Sequence, residues 1–429
     1  MKTVQVLRIL VRAGIIPGVL AASVLAAQPA DSPPTQITIT QAVQEAVDHN
    51  LSLLAERFNL SIADARIVTA KLRPNPVFSA GLDYIDMLRA FSRDNQGGPT
   101  EYNLRTDFTL ERGGKRDRRI EVARNAREVA QLQLLNTTRT LVLDVQNAFV
   151  DVQQAKDNLA LARENLQVFQ NIVEVNATRV RAGDLAKVEL VRTQVAALQF
   201  QNAVRLAEAK LKTASTRLQG LMGRTASSPT FDVTGEMRRD TESVVLETVT
   251  AQALELRPDL LALRRDQARS QAEIRSQLAQ GKVDFTLGAE YHREFHNGNA
   301  NALGVFFQAP VPLWNRNQGE IERARQEQQQ ILARIRATEN DLQNEVRNAW
   351  TQYATSRSLL ESIEKDLLDQ AREVRTTMEY SYRRGEASLV EFLDAQRAFN
   401  DARQSSNDAR ADFARSLYTI DAISGKAVR

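Results

Sequence analysis

Four stretches of this chain carry residues at an unbroken 4-3-4-3 spacing, nearly all of them apolar or small, and few folds can accept them. Leu141, Val145, Ala148, Val152, Ala155, Leu159, Ala162, Leu166, Phe169 and Val173 form the first series. Leu342, Val346, Ala349, Tyr353, Ser356, Leu360, Ile363, Leu367, Gln370 and Val374 form another, 201 residues later. Two shorter series follow glycine turns: Leu190, Thr193, Ala197, Phe200, Val204, Ala207, Leu211, Ala214, Leu218, and then Phe392, Ala395, Phe399, Ala402, Ser406, Ala409, Phe413. Sustained heptads demand long helices that supercoil on neighbours, and the small seam residues suit close packing. A helix running from Arg119 to Val180 would span roughly 90 Å, far more than an ordinary globular core requires.

The two long series belong to an internal repeat. Phe78-Ser-Ala-Gly-Leu-Asp-Tyr84 matches Phe285-Thr-Leu-Gly-Ala-Glu-Tyr291, and Ile120-Glu-Val-Ala-Arg124 matches Ile321-Glu-Arg-Ala-Arg325. Arg181-Ala-Gly-Asp184 matches Arg383-Arg-Gly-Glu386. The chain divides into an address segment (1–27), a first repeat (28–222), a linker (223–243) and a second repeat (244–429). Each repeat opens with a helical segment, about 40–72 and 242–280. Two short stretches of period two follow. Tyr102, Leu104, Thr106, Phe108 and Leu110 alternate with Asn103, Arg105, Asp107, Thr109 and Glu111; Val283, Phe285, Leu287, Ala289 and Tyr291 alternate likewise with polar neighbours. Phe78 to Tyr84 and Leu303 to Ala309 supply the partner strands, joined across Asn95–Pro99 and His296–Asn299 as hairpins.

Four strands with one apolar and one polar face cannot stand alone. A small soluble β-layer on a helical rod would leave its edges open. In a bilayer open edges are excluded, and a closed barrel takes about eight strands or more, so subunits would have to pool theirs. On that reading Phe108, Leu104, Phe285 and Leu287 face lipid, and Asp107, Arg105, Glu290 and Thr286 line a wet lumen.

Charge and composition remove other classes. The 429 residues carry 56 Lys and Arg against 53 Asp and Glu, which suggests a nucleic-acid binder until the cations are located. Without Lys2, Arg8 and Arg12 the balance is 53 to 53, so no nucleic-acid partner is expected. Those three cations precede the apolar stretch Ala13–Leu25 and small residues up to Ala27, the pattern of a secretory signal peptide; an N-terminal anchor is the alternative, with a stretch shorter than the ~20 residues of a span. There is no Cys and there are three His. Gly113-Gly-Lys-Arg116 lacks the spacing and hydroxyl of a phosphate loop. Arg112 to Arg119 admits an anion site, or simply the place where a strand leaves the membrane. His292 and His296 beside Glu290 and Glu294 lack helical ligand spacing and read as a solvated loop. No nucleophile–base constellation points to an enzyme, and no cofactor or resident metal is expected.

The signal peptide, the doubled helix–hairpin–long-hairpin plan, the run Pro310-Val-Pro-Leu-Trp-Asn-Arg-Asn-Gln-Gly319, and Tyr382-Arg-Arg-Gly385 with Leu389, Glu391 and Leu393-Asp-Ala-Gln396 resemble the TolC-like outer-membrane efflux protein family over the whole mature chain. Glu111-Arg-Gly-Gly-Lys-Arg116 resembles its CzcC-type branch, which serves heavy-metal pumps. The resemblance implies a mainly α fold with a small β part: a homotrimer with a twelve-stranded β-barrel in the outer membrane and a long coiled-coil helical barrel in the periplasm. It implies a passive exit duct in contact with outer-membrane lipid, docked to a periplasmic membrane-fusion adaptor and an inner-membrane RND-type pump. Metal cations are slightly preferred as cargo over drugs, a type I protein-secretion duct being a further alternative; a soluble periplasmic scaffold would have no use for the strands. Gly183 and Gly385 then turn the helices at the periplasmic tip. Glu391 and Asp394 stand where the family prototype carries two acidic residues at its entrance, Tyr382 where a Tyr helps to hold it shut, and Glu189 is the first-repeat equivalent of Glu391. Ala387 replaces a tethering Arg. Ser388-Leu-Val-Glu391 also reads as a capping box, true in either case.

Overall fold

In a computed structural model the described residues are 35–83, 101–225, 228, 230–294 and 300–426. The signal segment, Tyr84, both hairpin loops and His296 lie outside them. The chain runs β1 (Thr35–Ile37), α1 (Ile39–His49), α2 (Leu51–Lys71), β2 (Val77–Asp83), β3 (Glu101–Leu110), α3 (Lys115–Ala182) and α4 (Lys187–Leu221). It continues with β4 (Phe231–Val233), α5 (Leu246–Leu256), α6 (Pro258–Gln280), β5 (Phe285–Glu294), β6 (Ala300–Gln308), α7 (Gln318–Ser362), a π-helical turn (Ile363–Leu367), α8 (Leu368–Arg384) and α9 (Leu389–Ile423). Among the described residues no helix is long and apolar enough to cross a membrane.

The 68 residues of α3 give a rod of roughly 100 Å. Its seam from Leu141 to Phe169 is buried or half-buried throughout, and all seven seam residues of α9 from Phe392 to Phe413 are buried. α3 packs along α4 and α9 toward one end and along α2 and α6 toward the other, so α4 and α2 together cover the length of one long helix.

Three expectations are corrected. The opening segments 40–72 and 242–280 are each two helices. Asn50 ends α1 and caps α2, its Oδ1 accepting from the Ser52 and Leu53 N–H groups while its Nδ2 donates to the Leu221 carbonyl at 2.9 Å. Arg257 and Pro258 make the equivalent break, and the buried Arg257 guanidinium is held by Asp259 and Glu345. Second, the linker 223–243 is not merely a connection, since β4 pairs in parallel with β1 and closes the core around Phe149, Leu218 and Met222.

The third correction concerns the second long seam, which is not continuous. It is buried from Leu342 to Ile363, but Leu367, Gln370 and Val374 are exposed. The π-turn inserts one residue, which rotates everything downstream by about a hundred degrees. The inward face resumes at Leu368, Ala371, Arg375, Met378 and Tyr382, all half-buried or buried. Leu367 (46% exposed) and Val374 (50%) are turned outward.

The strands form one antiparallel sheet in the order β2-β3-β5-β6. Register places Leu104 opposite Tyr291, Phe108 opposite Leu287, and Leu287 opposite Phe307 on one face. Leu104, Phe108 and Leu287 are exposed there; Phe285 is half-buried, edge-on to Phe307 and covered by the Arg112 guanidinium. The opposite face carries Arg105 bonded to Asp107 at 2.9 Å, and His292 bonded to the buried Glu101 at 2.8 Å. Both outer edges, β2 and β6, are without a partner strand among the described residues.

Candidate entrance at the helical tip

Both long helices end in the same way. Gly183 (φ 84°) and Gly385 (φ 81°) adopt the left-handed conformation that lets the chain reverse. Asp184 N–H donates to the Arg179 carbonyl and Glu386 N–H to that of Ser381, so the last carbonyls are satisfied. The two turns lie together: a Cβ on Gly385 would stand 3.3 Å from Nη2 of Arg179, on the other hairpin. Beneath them Phe169, Ile172, Tyr382, Leu389 and Phe392 share one buried cluster drawn from both hairpins. Phe169 stacks on Phe200 at 4.4 Å between centroids, and Tyr382 on Phe392 at 5.6 Å.

Within this apolar cluster sits a polar node. The fully buried Asn176 amide donates to Tyr382 Oη at 2.7 Å and to Thr193 Oγ1 at 2.9 Å. The Thr193 hydroxyl donates in turn to the Glu189 carbonyl at 2.7 Å. The other amide atom of Asn176 has no partner among the described residues. Tyr382 is thus buried and bonded across the boundary between α3 and α8. Asn176 and Thr193 were not singled out in the sequence, yet Asn176 falls three residues after Val173, where the seam calls for an apolar side chain.

The acids occupy the surface. Glu391 completes the capping box, its Oε2 accepting from the Ser388 N–H at 2.7 Å and the Ser388 hydroxyl at 2.8 Å. Those bonds, the backbone one foremost, hold its carboxyl below the usual carboxylate range. Asp394 is 67% exposed and only loosely paired with Arg397 at 3.7 Å. Glu189 pairs with Arg192 at 3.0 Å. The structure therefore sets Glu391 and Asp394 in water on α9 and Tyr382 inside the packing of the same tip.

Farther along, α3 and α9 meet through amides and charges. Gln396, fully buried, donates to Asn165 and Asn400, each at 3.0 Å. Asn407 donates to Asn158, Gln154 to Asp408, and Arg415 to Asp151. Among the described residues no cluster of three or more His, Asp or Glu could hold a metal ion.

The same fold recurs among solved outer-membrane channels. The chain is 26% identical over 397 residues to the cobalt-zinc-cadmium resistance protein CzcC of Cupriavidus metallidurans, covering 91% of this chain and 90% of that protein. Its fold superposes on the Campylobacter jejuni CmeC outer-membrane channel with a TM-score of 0.74 at 13% identity, over 91% of this chain and 86% of that one. The open state of the Neisseria gonorrhoeae MtrE outer-membrane channel gives 0.71 at 17% identity, over 91% and 89%. The family model described as outer membrane efflux protein matches residues 42–224 and 249–426, and the chain belongs to that family.

Proposed function

We propose that this outer-membrane efflux channel works as a homotrimeric exit duct, passing divalent metal cations from an adaptor and an inner-membrane pump across the periplasm and outer membrane. The observation that carries the reading is the four-stranded sheet, apolar on its exposed face and, among the described residues, unpaired at both edges. Three copies joined edge to edge give twelve strands, enough to close a barrel. The helices support the same assembly. Val188, Val191, Val195 and Leu198 are all at least 48% exposed on α4, and their 3-4-3 spacing is that of a coiled-coil seam without its partner. Leu367, the last residue of the π-turn, and Val374 on α8 lie one heptad apart and are both turned outward. Pairing α4 of one copy with α8 of the next would cover both.

Cation cargo is supported by the likeness to CzcC, by the run Glu111–Arg116, and by the acids at the tip. Around a threefold axis Glu391 and Asp394 supply six carboxylates, which attract cations. Tyr382 and Asn176 hold the two hairpins of each chain together beneath them, so their bond belongs to the closed state. In planar bilayers, Glu391→Ala with Asp394→Ala should lower cation preference, the difference shrinking as salt screens the charges. Native ion selectivity in a double variant that inserts normally would reduce both acids to helix caps. Cells lacking the gene should regain sensitivity to cobalt, zinc or cadmium; unchanged metal tolerance with a new sensitivity to drugs would reassign the cargo.

A further inference from the structure

An apolar arm and an open groove lie at the helix end of the sheet, one beside each unpaired edge. The arm follows β6. Pro310 and Pro312 restrict its backbone, Leu313 N–H donates to the Val311 carbonyl at 2.9 Å, Gln318 Nε2 donates to the Trp314 carbonyl at 2.9 Å, and Asn317 closes it in a left-handed turn at φ 64°. This bracing holds three large apolar side chains in the open: Val311 is 74% exposed, Leu313 61% and Trp314 85%. A rigid, exposed indole is the side chain that most often anchors an interface.

The groove lies beside the start of β2. It encloses about 670 Å³ between residues 73–76, the end of β3 and the first turn of α3. Pro74, Pro76, Phe108 and Leu110 supply apolar wall and Arg73 and Arg116 supply cations; Asp117 also lines it, while Glu111 and Lys115 are engaged by Arg119 and Asp284. Neither arginine has a carboxylate partner among the described residues, and Arg116 is fixed only through its Nε, which donates to the Lys71 carbonyl at 2.7 Å. An aromatic face opposite such a guanidinium is favoured by cation–π attraction.

Strand direction brings the two features together. β2 leaves the helix end of the sheet at Val77, and β6 returns to it at Gln308. When the β6 edge of one copy pairs with the β2 edge of the next, the strands are antiparallel and the arm of the first arrives beside residues 73–76 of the second. We propose that the Trp314 arm of each protomer seats in the Arg73–Arg116 groove of its neighbour, a second copy of this chain being the occupant. This deepens the trimeric reading and rests on it: the lock would sit where barrel becomes helix, joining each strand seam to the α3 rod.

The test uses the full chain reconstituted in vesicles, in a Trp350→Phe background so that Trp314 is the single tryptophan. The expected result is blue-shifted Trp314 emission with little quenching by phosphatidylcholine brominated on its acyl chains, and a red shift on Arg116→Gln. As a second readout, Asn75→Cys with Leu313→Cys, in a chain with no other cysteine, should give a covalent trimer with a short bis-maleimide, which neither single variant gives. A trimer by mass in which bromolipid strongly quenches Trp314 and the double variant does not cross-link would overturn the lock alone, placing the indole in lipid. A monomer by mass would overturn the lock and the trimeric duct together.

Discussion

Replacing Tyr382 by Phe removes one oxygen and little else. The ring keeps its stack on Phe392 and its place in the tip cluster. The loss is the 2.7 Å bond from Asn176, whose amide is fully buried and already has one atom without a partner. Leaving a further buried donor unpaired costs about 1–3 kcal/mol. Because the bond joins α3 to α8, the cost falls on any state in which the two hairpins stay together, and is relieved once they part and water reaches the amide. The closed-to-open equilibrium should therefore move toward open by roughly 5- to 150-fold. Single-channel recording reads this directly as longer dwell in a high-conductance state, and thermal unfolding checks that the trimer is intact. Adding Asn176→Leu should restore thermal stability, since the stranded amide is then gone and the Thr193 hydroxyl keeps its bond to the Glu189 carbonyl, but should not restore closure. If Tyr382→Phe lowers the unfolding midpoint and leaves conductance as in the native channel, the bond braces the tip and plays no part in gating.

On the strands, Leu104→Arg or Leu287→Arg at the bilayer midplane should cost about 2–4 kcal/mol, whereas Thr286→Arg on the other face should be tolerated; equal losses of assembled trimer on both faces would refute the assigned lipid face. Deleting Lys365 from the π-turn should convert it to regular α-helix without disturbing the inward face from Leu368 to Tyr382, so folded yield should be kept, while deleting one residue from the regular part of α7 should abolish it. Similar yields from the two deletions would show that the seam does not set the packing. Glu391 titrates below its unfolded value, so the stability it lends the first turn of α9 is present above the unfolded carboxylate pKa and is lost as pH falls through the lower folded value. Amide exchange in that turn should accelerate over this acid range, and Glu391→Gln should remove the pH dependence.

Much of this architecture is legible in residue spacing. The α9 seam is buried at every position that the heptad names, because α-helical period and supercoil leave one face no alternative. Gly183 and Gly385 mark the turns because a left-handed residue is needed there. The phase of α8 is hidden, since Ile363-Glu-Lys-Asp-Leu367 consists of ordinary helix formers and nothing local announces an extra residue; tertiary packing decides it. β1 and β4 are three residues each, too short for a period to register. At the tip the acids and Tyr382 could be placed by resemblance, but not the partner that Tyr382 takes. Asn176 gave a sign only as a polar residue in an apolar series.

The amide pairs between α3 and α9 carry an implication for order around a ring. Repeats of common plan, each ending in a heptad hairpin, would readily assemble like with like, first hairpin beside first hairpin. The flanks differ in chemistry, however: α3 meets α9 through Asn165, Asn158, Asp151 and their partners, whereas α4 presents Val188, Val191, Val195 and Leu198 outward, and the π-turn and α8 present Leu367 and Val374. Setting an amide flank against an aliphatic one would strand each buried carboxamide at about 1–3 kcal/mol, and sliding either helix by one heptad would do the same. Unlike flanks therefore reject one another, and in the proposed trimer the six hairpins close only in strict alternation, each with its proper neighbour and at its proper height.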